Sequence, residues 1–365
     1  MKKIKLGDLC VPSAGQLKKD SDELIDYIDI SSVDNETKKV TGYQTLLFEE
    51  APSRARKTVK KGSILVSTVR PNLNAVAMLE EDTPNISVAS TGFCVLDSKE
   101  NVDNRFILNF CKSKTFINAM VAQATGASYP AVSDKIVRAA LVPDYTYEEQ
   151  CNISEVLDKV SNVIEKRKAE LCSLDDLIKA RFVELFGDPI INSKGLETKE
   201  LNEVLVLKAG DFTAASDISV EPTEINIYPC YGGNGIRGYV AEYNQEGEYS
   251  LVGRQGALSG NVQYATGKFK NTEHALLVKP IIQMNSIWLN QLLLNLDLKR
   301  YRTGAAQPGL SVKNLQEIHI IMVPIDEQRQ FAEFVKQIDK SKSAVKKALD
   351  ETQLLFDSLM QEYFG

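Results

Sequence analysis

Three loops carry the side chains best suited to hydrogen-bond nucleic-acid bases. They are residues 70–74, 231–239 and 253–261, and they combine Arg, Asn or Gln with Gly or Pro beside short β-like runs. Arginine, asparagine and glutamine can form two hydrogen bonds with one base edge, whereas lysine and serine suit phosphates. Any single loop of this kind is more often an ordinary surface turn. Their grouping in both halves of the chain favours DNA binding.

The candidate DNA contacts are basic, amide, hydroxyl or aromatic residues within or near such loops. In the first half they are Arg54, Arg56, Lys57, Lys60, Thr68, Arg70, Asn72, Ser128 and Tyr129. In the second half they are Asn234, Arg237, Arg254, Gln255, Lys268, Lys270, Thr303 and Gln307.

Composition predicts a protein of more than one domain. The 365 residues exceed what one core usually serves, and 43% hydrophobic with 25% charged residues is typical of globular proteins. The apolar runs are too short to cross a bilayer, and no secretory signal is recognisable, so we expect a cytoplasmic protein. Six scattered cysteines and two histidines make a structural zinc site improbable, and we expect no metal and no cofactor in this chain.

Net charge gives a mixed indication of partners. A formal charge of −6 counts against a general nucleic-acid binder. The cations are clustered, however, because five of the eight residues at 54–61 are basic, while residues 20–36 are largely acidic. Acidic docking faces combined with two basic grooves would give this balance.

An internal repeat is the strongest feature of the sequence. Residues 125–133 recur as residues 303–311 at an offset of 178, and the same offset aligns Glu149-Gln150 with Glu327-Gln328 and Phe186-Gly187 with Phe364-Gly365. The segments before each repeat share little. The chain therefore alternates a variable unit and a shared unit, twice.

Each shared unit contains a long helix with apolar residues alternately three and four positions apart. The first stripe is Ile153, Leu157, Val160, Ile164, Arg167, Leu171, Leu174, Ile178 and Arg181. The second stripe is Phe331, Val335, Ile338, Lys342, Val345, Leu349, Thr352, Phe356 and Leu359. Such spacing is typical of a coiled-coil seam, in helices of about 38 residues and roughly 57 Å.

Two questions about these helices stay open at the level of sequence. The polar seam residues Arg167, Lys342 and Thr352 either lay their stems along the seam or fix its register. The helices either pair antiparallel within the chain or associate with another chain. We favour pairing within the chain, since covalently linked partners have a high effective concentration.

The order of these motifs resembles the DNA specificity subunits of Type I restriction-modification systems. The resemblance rests on residues 303–311, a proline followed by Glu327-Gln328, the long helix ending at Tyr363-Phe364-Gly365, and the recurrence of all three one repeat earlier. It covers essentially the whole chain. One departure is Tyr145-Thr146-Tyr147, which lengthens the first strand-to-helix junction.

The resemblance implies an α+β fold in which two globular mixed α/β target-recognition domains are separated by two long antiparallel coiled-coil helices in a pseudo-twofold repeat. It predicts target-recognition domains at residues 1–145 and 188–324, a central helix at 146–187 and a C-terminal helix at 325–365. Each domain would read one half of a bipartite, asymmetric site in double-stranded DNA, and the helices would set the unread gap.

The same resemblance implies partners that carry the chemistry. Two modification subunits would bind S-adenosylmethionine and methylate adenine, and restriction subunits would use ATP. The chain itself shows no methyltransferase tetrad, phosphate-binding loop or nuclease-like cluster, so we expect a non-catalytic subunit. Two alternatives stay open: a specificity partner of a fused restriction-methylation enzyme with a bipartite site, and an assembly scaffold that binds proteins rather than DNA.

Overall fold

A computed structural model describes residues 2–12, 15–17, 23–304 and 309–365. The chain folds as two units. The first unit contains residues 1–167 and 348–365, and the second contains residues 168–347. The end of the chain thus belongs to the same unit as its beginning.

The first unit contains short strands arranged in three small sheets, together with short helices. Its described strands are β1 (Lys3–Lys5), β2 (Leu24–Ile28), β3 (Gln44–Leu47), β4 (Ala55–Thr58), β5 (Ile64–Ser67), β6 (Val76–Met78), β7 (Ile86–Ser90), β8 (Phe93–Leu96) and β9 (Leu141–Pro143). Its described short helices are α1 (Leu6–Leu9), α2 (Asn104–Lys112), α3 (Lys114–Gln123) and α4 (Asp134–Arg138). The strand orders are β3-β2-β7-β4, β6-β5-β8 and β1-β9.

The second unit has longer strands in one larger sheet. Its described strands are β10 (Thr198–Glu200), β11 (Leu205–Ala209), β12 (Tyr228–Gly232), β13 (Gly235–Val240), β14 (Gln245–Gly253), β15 (Val262–Asn271), β16 (Ala275–Pro280) and β17 (His319–Ile321). Its described short helices are α6 (Leu201–Val204), α7 (Ser286–Asn295) and α8 (Val312–Gln316). The strand orders are β11-β16-β14-β15-β12-β13 and β10-β17.

Two helices of 40 residues pass from one unit to the other. They are α5 (Tyr147–Phe186) and α9 (Ile325–Phe364). In the first unit, the hydroxyl of Tyr145 donates to the carbonyl of Tyr363 at 3.4 Å, whereas Arg167 bonds to the earlier residues Ala348 and Thr352. The two helices therefore pair antiparallel within the chain, which confirms the predicted arrangement.

The predicted seam faces the interior in both helices. Every position of the two apolar stripes is buried or half-buried. The polar members contact the opposite helix: Arg167 bonds to the side chain of Thr352, and Lys342 pairs with Asp175 in the second unit. These contacts favour the role in fixing register, because stems that merely lay along the seam would leave their charged heads in water.

The repeated Phe-Gly at the helix ends anchors each unit's core. Phe364 is fully buried and packs 5.3 Å from the ring of Phe106 in the first unit. Phe186 is equally buried and packs 6.2 Å from the ring of Trp288 in the second. A large aromatic side chain buries much apolar area, so each helix end stabilises the unit in which it finishes.

Among the residues that the structure describes, no helix has the length and apolar character needed to cross a membrane.

Candidate nucleic-acid interface

The loop between β5 and β6 (residues 68–75) displays several predicted contacts and is held by backbone hydrogen bonds. The N–H of Thr68 donates to the carbonyl of Gly92 at 2.8 Å, and the N–H of Val132 donates to the carbonyl of Thr68 at 2.9 Å. The N–H of Arg70 donates to the carbonyl of Pro130 at 2.7 Å. The first copy of the repeated motif therefore fixes this loop in place.

Arg70 and Tyr129 form the exposed tip of this arrangement. The guanidinium lies 4.8 Å from the centre of the Tyr129 ring, and that tyrosine is 68% exposed. Arg70 has a left-handed backbone with φ of 49°. Asn72 and Ser128 are also exposed on these two segments. Four predicted contacts are thus gathered into one polar, cationic surface.

The loop between β14 and β15 (residues 254–261) is held in the same way in the second unit. The N–H of Arg254 donates to the carbonyl of His274 at 3.0 Å, and the N–H of Leu310 donates to the carbonyl of Arg254 at 2.8 Å. Gln255 and Gly309 form an isolated β-bridge. Here the second copy of the repeated motif fixes the loop.

These bonds align the two loops, which have the same length. Thr68 corresponds to Arg254, so Arg70 corresponds to Gly256 and Asn74 to Gly260. Arg70 and Gly256 both have positive φ, and so do Asn74 and Gly260; the four values lie between 48° and 78°. Sequence comparison missed this match because the residue types differ and only the left-handed backbone is shared.

Other predicted contacts of the second unit gather around residues 254–261. The side chain of Gln255 lies 3.2 Å from Nδ1 of His274, and the amide of Asn261 donates to Oδ1 of Asn234 at 3.0 Å. Thr303 pairs with Gly309 through its backbone N–H at 2.9 Å. Gln307 lies outside the described residues.

The remaining cationic candidates do not join these tips directly. Arg54 forms a 2.8 Å ion pair with Asp29, Arg56 lies over the ring of Phe48, and Lys60 is exposed in a turn. In the second unit, Arg237 is exposed on β13, and Lys268 and Lys270 lie along β15.

The two lysines of β15 each lie beside a side chain of the same unit. Lys270 lies 3.8 Å from Asp211. Lys268 sits 4.8 Å from the centre of the Tyr243 ring, and a hydrogen bond to Tyr243 raises the pKa of this lysine.

Two predicted contacts are corrected by burial. Lys57 is 7% exposed, and its ammonium donates to the carbonyl of Phe93 and to Asp134, both at 2.6 Å. Thr68 is also 7% exposed, and its hydroxyl donates to the carbonyl of Gly92 at 2.8 Å. Both polar groups are already bonded inside the fold, so neither side chain is exposed as the prediction required.

The segment 299–302 was missed at the level of sequence. Arg302 donates to two carbonyls of the second loop, that of Ser259 at 2.6 Å and that of Ala257 at 3.1 Å. Lys299 and Arg300 precede it and are exposed. A run of Lys-Arg-Tyr-Arg directly before Thr303 was the available signal, since basic runs suit phosphates.

Comparison with known proteins agrees with this doubled architecture. The sequence profile of the Type I restriction modification DNA specificity domain matches residues 1–172 and 193–352. The chain belongs to this family. Both copies of the specificity domain therefore contain one variable unit and most of one long helix.

Curated relatives of the chain are specificity subunits of Type I restriction enzymes. The EcoprrI specificity subunit of a Type I restriction enzyme from Escherichia coli is 35% identical over 201 residues, which are 54% of this chain and 50% of that protein. The chain thus spans about half the length of this curated relative. It spans a smaller share of two specificity subunits from Haemophilus influenzae.

Two solved structures show the same fold. A chain from a study of complex assembly and conformational transition in the type I R-M system aligns over 100% of this chain and 97% of its own length, with a TM-score of 0.61 and 23% identity. The S subunit of a Type I restriction-modification system from M. genitalium gives 100% and 96% coverage, a TM-score of 0.61 and 18% identity.

Proposed function

We propose that this chain is the sequence-specific DNA-binding subunit of a Type I restriction-modification complex, with no catalytic centre of its own. Each unit reads one half of a bipartite, asymmetric site in double-stranded DNA. The observation that carries this proposal is the doubled loop, in which residues 68–75 and 254–261 occupy equivalent positions but differ in sequence. Equivalent scaffolds with different side chains suit two unlike half-sites.

The side chains on the loops have the chemistry for this task. Arg70 stacks on Tyr129, which limits the motion of its guanidinium. Arg254 and Gln255 begin the second loop. Among the described residues, the guanidinium groups of Arg70 and Arg254 have no hydrogen-bonded partner. Arginine and glutamine form bidentate hydrogen bonds with guanine and adenine edges, respectively.

Membership of the family and the paired helices support a proposal for the partners. We propose that α5 and α9 set the number of unread base pairs and help dock two modification subunits, which bind S-adenosylmethionine and methylate adenine. Restriction subunits that use ATP would complete the assembly. The exposed apolar residues Leu354 and Leu355 on α9, with Val163 on α5, offer surface for such docking in the first unit.

Methylation-resolving sequencing tests the proposal. Cells that express this chain with the modification subunit encoded beside it should gain an adenine-methylated motif of two unlike halves around a fixed gap. Arg70→Ala and Arg254→Ala should each reduce methylation of that motif while the protein remains folded. A soluble complex that produces no new motif and shows no salt-sensitive duplex binding would favour the protein-binding scaffold.

A further inference from the structure

A cavity of about 640 Å³ opens beside Arg70 in the first unit. The turn at residues 34–36 and the loop that contains Leu73 form two of its walls, and Tyr129 also lines it. Val33 and Ala75 contribute buried apolar surface. The cavity is therefore continuous with the surface that we propose contacts DNA.

The two walls are fixed relative to each other. Lys38, at the end of the turn, donates from Nζ to the carbonyl of Asn74 at 2.6 Å. The carboxylate of Asp34 accepts from the N–H of Thr37 at 2.6 Å and from its hydroxyl at 2.8 Å. Asp34 is therefore committed to the turn, and the bond from Lys38 to Asn74 links the turn to the loop.

The next two residues of the turn are available for a ligand. Asn35 and Glu36 are exposed and line the cavity. Within the part of the chain that the structure describes, neither side chain makes a hydrogen bond or an ion pair. Arg70 and Tyr129 line the same cavity, so its lining combines a carboxylate, an amide, a guanidinium and an aromatic ring.

The carboxylate determines which ligand chemistry fits. A phosphate would be repelled by Glu36, whereas a hydrogen-bond donor would be attracted. On the major-groove edges of DNA, the donors are the exocyclic amino groups of adenine and cytosine. An acidic side chain in a DNA-binding surface lowers affinity for the backbone, and it contributes to recognition only if it contacts such a base.

We infer that Glu36, with Asn35 beside it, reads a base of the first half-site that presents an exocyclic amino group, adenine or cytosine. This inference rests on the proposed function. It assigns a specificity role to part of the acidic segment at 20–36, which composition alone favours as a docking face. Glu36 accepts from the amino group and disfavours guanine and thymine, whose carbonyl oxygens would face the carboxylate.

The test uses the complete complex with its modification subunit. Glu36→Ala is compared with wild type and with Glu80→Ala, an exposed acidic residue of the same unit outside the cavity lining. Discrimination in favour of adenine or cytosine should fall about tenfold at one position of the first half-site. The second half-site and the behaviour of Glu80→Ala should match wild type.

Three outcomes separate the possibilities. A motif that stays unchanged in Glu36→Ala overturns the inference and leaves the proposed function intact. A uniform rise in binding to all duplexes, with base preference unchanged, also overturns it, since that result shows only relief of repulsion from phosphates. If wild type itself produces no bipartite motif, the proposed function fails first. Thermal unfolding of each variant confirms that the fold is retained.

Discussion

Gln150 and Gln328 make the same pair of hydrogen bonds, one in each unit. Oε1 of Gln150 accepts from the N–H of Asp103 at 3.1 Å, and its amide donates to the carbonyl of Tyr145 at 2.9 Å. Gln328 accepts from the N–H of Asn285 at 2.8 Å and donates to the carbonyl of Val323 at 2.7 Å. The repeated Glu-Gln motif thus ties each long helix to the cap of a globular helix.

We expect Gln328→Leu to lower the free energy of unfolding by about 1–3 kcal/mol. Gln328 is 2% exposed, and leucine would leave a backbone N–H and a carbonyl without partners in a buried place. Urea unfolding followed by circular dichroism measures the change. Gln150→Leu should behave alike in the first unit, where the glutamine is 3% exposed.

Gln123→Leu is the matched control for these variants. Gln123 is exposed, and among the described residues its side chain bonds only to Ala119 of its own helix, at 3.2 Å. Its substitution should change stability by no more than about 0.5 kcal/mol. Equal losses in all three variants would show that the paired hydrogen bonds contribute nothing specific.

Asp103 predicts an acid-dependent loss of stability that is absent at its counterpart, Asn285. Burial raises the pKa of the Asp103 carboxyl, but bonds from Arg105 and from the N–H groups of helix α2 outweigh that effect and hold its pKa below 3.8. The stabilisation is complete above pH 3.8, and it is lost as pH falls through the lowered pKa. Asn285 caps helix α7 with an amide, which does not titrate.

Asp103→Asn should therefore flatten the acid limb of the stability curve. Asparagine is as good a helix cap as aspartate, so the cap itself is kept. The measurement is the midpoint of urea unfolding at several pH values between 3 and 7. A variant curve that still parallels wild type below pH 3.8 would assign the acid sensitivity to other carboxyls.

The repeated parts of this fold are predictable because many of their residues recur at one offset in the sequence. The seam stripes, the Glu-Gln motif and Phe186 and Phe364 recur at one offset, and each performs the same packing or bonding task twice. Helical periodicity sustained over about eight turns leaves little choice of structure. Each helix has 40 residues, close to the predicted length of about 38.

The variable units exceed what pattern alone can predict. Lys57 belongs to a basic cluster, but a bond to Asp134, distant in sequence, removes it from the surface. The equivalence of Arg70 and Gly256 depends on backbone conformation, which two different residue types can adopt. The bond from Arg302 to the second loop and the place of Glu36 in a cavity lining depend on the tertiary fold.

The two left-handed glycines of the second loop give a matched pair for testing how the loop is held. A Cβ at Gly256 would meet no atom within 4 Å, whereas a Cβ at Gly260 would lie 2.8 Å from the backbone nitrogen of Lys299. Both have positive φ, 72° and 78°. Alanine at either position costs about 1 kcal/mol of backbone strain.

Gly260→Ala must in addition displace the backbone at Lys299, so its total cost should reach about 2 kcal/mol or more. That displacement moves the segment from which Arg302 bonds the loop, so methylation should become less selective at the second half-site only. Urea unfolding and methylation-resolving sequencing measure the two effects. Equal stability and selectivity in Gly256→Ala and Gly260→Ala would show that contact with segment 299–302 does not position this loop.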